Sequence, residues 1–239
     1  MKLAGRVALV TGAARNIGQA VATTFAAEGA QLAIATASDR ARLCRTAELC
    51  RGCGVDVVEV YGDVASPADC QQMVDQTLER FGRIDVLVNT VAIRPGVRFA
   101  DLTWDMWRRV LDVNLGGTFN FAKLIVPGMI ERKSGSIIAF GGLNAMTSGG
   151  AGPNSAAKMG LLGFVRSLAI DLAPHNVRVN MVVPGRIATE GRDNIPEDIP
   201  MRRRGTTQEI ALTTLFLACD DSAYVTGERI MVTGGRTNL

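Results

Sequence analysis

The stretch that decides the fold is VALVTGAARNIGQA, Val7 to Ala20. A short apolar run ends at Thr11-Gly12, and apolar residues at helical spacing begin at Ile17. A glycine-rich turn between a strand and a helix lets the backbone approach a pyrophosphate, and the helix N-terminus turns unpaired N–H groups toward it. Gly12 and Gly18 are the glycines of this turn, and Arg15, Asn16 and Ile17 lie between them. The pattern is weak alone, because a tight turn without a ligand uses the same residues. Its place directly after the first strand strengthens it.

Working outward, apolar runs and amphipathic segments alternate along the chain. Strands are expected at Arg6–Thr11, Gln31–Thr36, Asp56–Tyr61, Ile84–Asn89, Ser136–Phe140, Val177–Val183 and Arg229–Val232. Helices are expected at Ile17–Glu28, Pro67–Phe81, Trp104–Ile130 and Asn154–Leu172. Most strands are short and continuously apolar, as when helices cover both faces of a sheet. The reading is an α/β chain with one Rossmann-type, doubly wound parallel sheet of about seven strands and helices on both faces. Residues 1–239 read as a single domain, since no repeat, low-complexity tract or linker interrupts them. The segment around 185–205 is polar, proline-punctuated and charged, which suits a lid over a binding cleft.

Composition narrows the function classes. A net charge of +3, with the basic residues scattered, gives no case for nucleic acid. No run approaches the roughly 20 apolar residues of a membrane span. The strand pattern begins almost at the first residue, leaving no room for a signal peptide, so a cytoplasmic protein is expected. The five cysteines suit free thiols in a reducing compartment. Cys50 and Cys53 form a Cys-x-x-Cys, but the one histidine, His175, lies far along the chain, so no metal site is expected. The same scarcity argues against a histidine-based hydrolase.

The tip of the second strand bears on the choice of dinucleotide. An NAD site usually places Asp or Glu there to bond the ribose hydroxyls. Here Thr36, Ala37 and Ser38 stand instead, with Arg15 and Arg40 nearby. This favours NADP(H) over NAD(H), although Arg40 also suits a solvated place at the start of a helix.

At this point the sequence resembles the short-chain dehydrogenase/reductase family, in the style of its β-ketoacyl reductase branch, over essentially the whole chain. Thr11, Gly12, Ile17 and Gly18 match the Thr-Gly-x-x-x-Gly-Ile-Gly turn, and Asn89 opens the segment after the fourth strand. The resemblance implies that Asp63-Val64 contacts adenine and that Asn114 holds a proton-relay water. It makes Lys158 the active-site lysine and sets Pro184, Gly185 and Thr189 near the nicotinamide. VTGERIMVTGG, from Val225, matches the C-terminal signature.

The departures cluster where the chemistry belongs. The family's Tyr-x-x-x-Lys pair delivers a proton, and a serine after the fifth strand polarises the carbonyl. The tyrosine position is Asn154, and the serine position falls on Gly141 or Gly142. The interval from Gly142 to Lys158 is one residue shorter than is usual, as though the tyrosine were deleted from PNSAAK. Asn16 replaces the middle glycine of the turn, which asparagine tolerates in a left-handed backbone. Asn-Asn-Ala-Gly becomes NTVA, Asn89 to Ala92, where Val91 and Ala92 add bulk along the cofactor's path.

Asparagine donates and accepts hydrogen bonds but is no general acid or base near neutral pH. Losing that catalysis costs ~10²–10⁴ in rate, and losing an oxyanion donor costs about as much again. Asn114, Asn154 and Lys158 are therefore remnant catalytic positions. Asn144, Thr147 and Ser148 could add hydrogen bonds beside the site.

Three readings stand open. The chain is a silent subunit paired with a tyrosine-bearing relative through helices 104–130 and 154–172, as in heteromeric hydroxyacyl-CoA dehydrogenases of this family. Alternatively it is an active NADP-dependent oxidoreductase with an Asn/Lys/water relay, or it is an NADP-sensing module. Arg94, Arg98, Arg186, Arg192 and Arg202–Arg204 read as solvated or interface charges in preference to contacts for an acidic or CoA-bearing substrate. A tyrosine brought in from elsewhere, Tyr61 or Tyr224, would overturn the silent reading.

Overall fold

The computed structural model describes residues 1–143, 152–190 and 198–236. Its chain order is β1 Val7–Thr11, α1 Asn16–Ala27, β2 Gln31–Thr36, α2 Arg40–Arg51, β3 Val57–Tyr61, α3 Pro67–Phe81 and β4 Val86–Asn89. There follow α4 Trp104–Leu111, a π-helical turn Asp112–Gly116, α5 Gly117–Arg132, β5 Gly135–Phe140, α6 Gly152–Leu172, β6 Val177–Pro184, α7 Thr207–Ala218 and β7 Arg229–Val232. All seven expected strands form, with ends shifted by at most two residues.

The strands make one parallel sheet in the order β3-β2-β1-β4-β5-β6-β7. β2 and β3 lie on one side of β1, and the later strands lie on the other. The order in which strands are added therefore reverses between β1 and β4, the place where a doubly wound sheet opens a crevice at its strand carboxyl ends. One apolar core packs α1, α2 and α7 on one face. A second packs α3, α5 and α6 on the other. Covered on both faces, the strands had no reason to alternate polar and apolar residues.

Local chemistry sets the helix ends. Asp39, Ser66 and Thr103 cap α2, α3 and α4 by accepting a backbone N–H two or three residues into each helix. Thr206 and Glu209 form a reciprocal capping box on α7. α1 differs: it has no side-chain cap and no acid in its first turn.

Two helices escaped the periodicity argument. α2 is rich in arginine and buries only Leu43, Thr46, Ala47 and Cys50, too sparse a stripe to stand out. α7 is apolar nearly all round, so it offers no contrast between faces. The expected helix Trp104–Ile130 is divided by the π-helical turn, a feature frequent at functional sites. Asn114 sits in that turn.

The segment after β6 folds back on itself. Ala188 N–H donates to Gly205 O at 2.8 Å, and Gly205 N–H donates to Arg186 O at 3.1 Å. Asp198 binds Arg186 and Arg236 at 3.1 and 2.6 Å. Residues 191–197 of the expected lid, Arg192 among them, lie outside the described residues.

At the amino ends of the central strands, Asp85 is a buried junction. Its Oδ2 accepts Val7 N–H at 2.9 Å, and its Oδ1 accepts Arg83 Nε at 2.8 Å. Its own N–H donates to Val7 O, and its carbonyl accepts Ser136 N–H. β1, β4 and β5 are thereby tied at one end. Asp85→Ala is expected to lower stability by about 2–3 kcal/mol in urea unfolding, less than for a fully buried pair because Arg83 reaches solvent. An unchanged midpoint would refute this role.

Candidate functional site

At the reversal between β1 and β4 the carboxyl ends of the strands open into a cleft of about 740 Å³. Of the candidate cofactor residues, Gly12, Arg15, Asn16, Ile17, Gly18, Thr36, Ser38, Asp63, Val64, Lys158, Pro184, Gly185 and Thr189 line it. Gly141 and Gly142 line it as well. Asn89, Asn114 and Asn154 do not; they are buried behind the wall.

The turn after β1 is shaped by sterics. Gly12 has φ +71°, and a Cβ there would lie 2.5 Å from Thr90 Oγ1. A Cβ on Gly18 would lie 2.1 Å from Gly12 O. Asn16 adopts φ 51°, the left-handed backbone that accounts for asparagine at this position. Its Oδ1 accepts Glu190 N–H at 3.4 Å, and the Glu190 carboxylate pairs with Arg42 at 3.1 Å. The segment after β6 thus meets both the turn and α2.

A buried relay of hydrogen bonds holds the floor. Thr11 Oγ1 donates to Asn89 Oδ1 at 2.6 Å, and Asn89 Nδ2 donates to Thr118 Oγ1 at 2.8 Å. Thr90 Oγ1 donates to Thr11 O at 2.8 Å. Asn89 therefore ties β1, β4 and α5 together beneath the cleft. Thr90 and Arg109 were missed, and no spacing rule marks them.

Toward β2 and β3, Arg40 stacks on the Tyr61 ring at 3.9 Å and does not line the cleft. Asp39 does line the cleft, but its carboxylate accepts Arg42 N–H at 3.2 Å and pairs with Arg42 Nε at 3.5 Å. Asp63 pairs with Arg109 at 2.7 Å.

Toward β5 lie Asn114, Asn154 and Lys158. Asn114 Oδ1 accepts Ile93 N–H at 2.8 Å, and its Nδ2 donates to Ile93 O and to Asn154 Oδ1, each at 2.9 Å. The two amides are joined directly, and Asn114 has spent both its amide hydrogens. Lys158 is 2% exposed and donates to Phe140 O at 2.5 Å. Burial, and secondarily the charge of Arg94, push its pKa down to about 7. The Arg94 guanidinium stands over Gly142, 3.1 Å from where a Cβ would be.

Neither tyrosine of the chain reaches this lysine. Tyr61 lies on β3 and donates to Glu59 at 2.9 Å, and Tyr224 is fully exposed beyond α7. Asn144, Thr147 and Ser148 lie outside the described residues.

The comparisons with known proteins agree with this geometry. The model of a family described as enoyl-(acyl carrier protein) reductase matches residues 12–237. A 3-oxoacyl-(acyl-carrier-protein) reductase of Thermotoga maritima is 36% identical over 98% of this chain and 99% of its own length. That of Escherichia coli strain K12 is 34% identical over 98% of each. The crystal structure of a 3-oxoacyl-(acyl-carrier protein) reductase with bound NAD from Brucella melitensis matches with a TM-score of 0.91 and 35% identity, covering 99% of this chain and 92% of that one.

The chain belongs to the short-chain dehydrogenase/reductase family. Its members are oxidoreductases that use a nicotinamide dinucleotide. The residues present fit such a group. The turn has no room for side chains at Gly12 and Gly18, and the uncapped first turn of α1 leaves its N–H groups for phosphate. Among the described residues no helix is long and apolar enough to cross a membrane.

Two outcomes test this site. Gly18→Ala should weaken dinucleotide binding in calorimetry and cost about 1–3 kcal/mol of stability, because its Cβ meets backbone. For Lys158, the folded pKa of about 7 lies below the ordinary 10.5. Between those values the unfolded chain holds a proton that the folded chain releases, so this amine makes stability rise with pH from about 7 to about 10.5. In pH-resolved urea melts Lys158→Met should lose that rise and gain stability below pH 7, and an unaltered slope would rule out the amine as its source.

Proposed function

We propose that this chain is an NADP(H)-holding subunit of an oxidoreductase acting on an alcohol/carbonyl pair, with a hydroxyacyl or oxoacyl thioester as substrate class. In this reading it is catalytically silent by itself and completes an assembly with a relative that carries the tyrosine and the serine. One observation carries the proposal: the position four residues before the buried Lys158 is an amide already bonded to Asn114. The relatives named as 3-oxoacyl-(acyl-carrier-protein) reductases support the thioester class.

The bound dinucleotide would supply or accept the hydride. Gly12, Asn16 and Gly18 would admit its phosphates, and Asp63 and Val64 would flank its adenine. The strand tip favours NADP, because Thr36, Ala37 and Ser38 carry no acid and the Asp39 carboxylate is engaged by Arg42. Arg15 lines the cleft and offers a charge to a 2′-phosphate. The alkoxide of a reduced substrate needs a proton, and neither Asn154 nor Asn114 has one to give. The segment at 185–205 would act as the lid.

Assembly is supported by exposed apolar side chains on the expected helices. Trp104, Phe119, Met159 and Ile170 are all exposed, and Phe119 meets Phe164 edge-on at 6.0 Å. Burying such side chains against a partner stabilises association.

Pure protein supplied with NADPH and acetoacetyl-CoA should show no turnover, while a co-expressed relative with tyrosine and serine should co-purify. Asn154→Tyr combined with Gly142→Ser should raise the rate of the chain itself by ~10²-fold or more. Robust turnover by the unaltered homo-oligomer would refute silence. The active reading draws on Lys158, whose pKa of about 7 suits proton transfer near neutrality. An activity that persists in both Lys158→Met and Asn114→Ala would eliminate that relay.

A further inference from the structure

The outer edge of the cleft carries a chain of charges that joins the segment after β6 to α2. Thr189 lines the cleft, and the next residue, Glu190, meets both the glycine turn and the second helix. Its N–H donates to Asn16 Oδ1 at 3.4 Å, and its carboxylate accepts Arg42 Nη1–H at 3.1 Å. Arg42 Nε in turn faces the Asp39 carboxylate at 3.5 Å. Asp39 belongs to the cleft wall beside Ser38, just past the end of β2. Of the two arginines that open α2, Arg40 is held over the Tyr61 ring, so Arg42 is the one tied to the wall.

The tip of the second strand is where a dinucleotide places the 2′-position of its adenosine ribose. There a carboxylate opposes a 2′-phosphate unless a cation neutralises it, and for Asp39 that cation is Arg42. Glu190 draws on the same guanidinium. Its side chain is 60% exposed, and ion pairs open to water hold their partners weakly. A phosphate monoester carries about −1.5 to −2 charges near neutral pH and offers three acceptor oxygens, so it outcompetes a single carboxylate for an arginine. We infer that Arg42 is a 2′-phosphate ligand held in reserve by Glu190. NADP(H) draws the guanidinium from Glu190 to the phosphate, whereas NAD(H) leaves the Glu190–Arg42 tie in place. Glu190 thus lowers the preference for NADP(H), and the tie between the segment after β6 and α2 responds to which dinucleotide is bound. This rests on the dinucleotide reading above and is independent of turnover.

Calorimetry of the full chain with NADPH and with NADH tests it, read as the ratio of the two affinities. Arg42→Gln should lower the NADPH-to-NADH ratio about 5-fold or more. The same loss should appear in an Asp39→Asn background, which distinguishes a phosphate contact from simple neutralisation of Asp39. Glu190→Gln should raise the ratio about 3-fold, because the phosphate no longer competes for the guanidinium. That gain should vanish in the Arg42→Gln background. A gain that survives there would make Glu190 a charge acting directly on the phosphate and overturn the inference. So would an Arg42→Gln loss confined to chains that keep Asp39. Failure of both dinucleotides to bind would remove the cofactor reading and this inference with it, while NADPH binding indifferent to Arg42→Gln and Glu190→Gln would remove this inference alone.

Discussion

The seam between β1 and β4 is the constraint on which the molecule depends. Here the sheet reverses its winding, and adjacent connections leave in opposite directions, so a crevice opens. Two sets of buried hydrogen bonds hold the seam. Asp85 joins the amino ends of the strands, while Thr11, Asn89 and Thr118 join the carboxyl ends under the cleft. Both sets are shielded from water, so a lost partner leaves a buried polar group unsatisfied and costly. The glycine turn inherits its position from that seam. Thr90, the next residue along β4's exit, bonds Thr11 O and packs where side chains on Gly12 and Gly18 would be.

On the β5 side of the cleft, two buried amides, Asn114 and Asn154, are hydrogen-bonded to each other. Asn114 lies in a π-helical turn that interrupts a long helical segment and brings its amide to Ile93 and Asn154 together. Such a pair is well satisfied and stable. It has no titratable proton to pass on, and it lies behind the wall of the cleft.

The lysine that remains has a changed environment. Lys158 donates to the Phe140 carbonyl and feels the charge of Arg94, and burial makes its protonated form expensive. Arg94 crosses over Gly142 because that residue offers no obstacle.

Read alone, the sequence determined the alternation of strands and helices, the glycine turn and the absence of tyrosine before Lys158, because these rest on short-range periodicity, on sterics and on residue identity. Periodicity did not mark α2 and α7, whose apolar stripes are respectively too sparse and too uniform to read as a face, although Arg40 already read as a helix start. The sequence named Asn89 and Arg40 as candidates near the cofactor, and the folded chain shows Asn89 joining β1, β4 and α5 beneath the cleft and Arg40 stacked on Tyr61. Only the folded chain brought Asn114 to Asn154, 40 residues apart, and Arg94 to Gly142 and Lys158. Those meetings depend on strand order and on where a π-helical turn falls, and no local spacing encodes either.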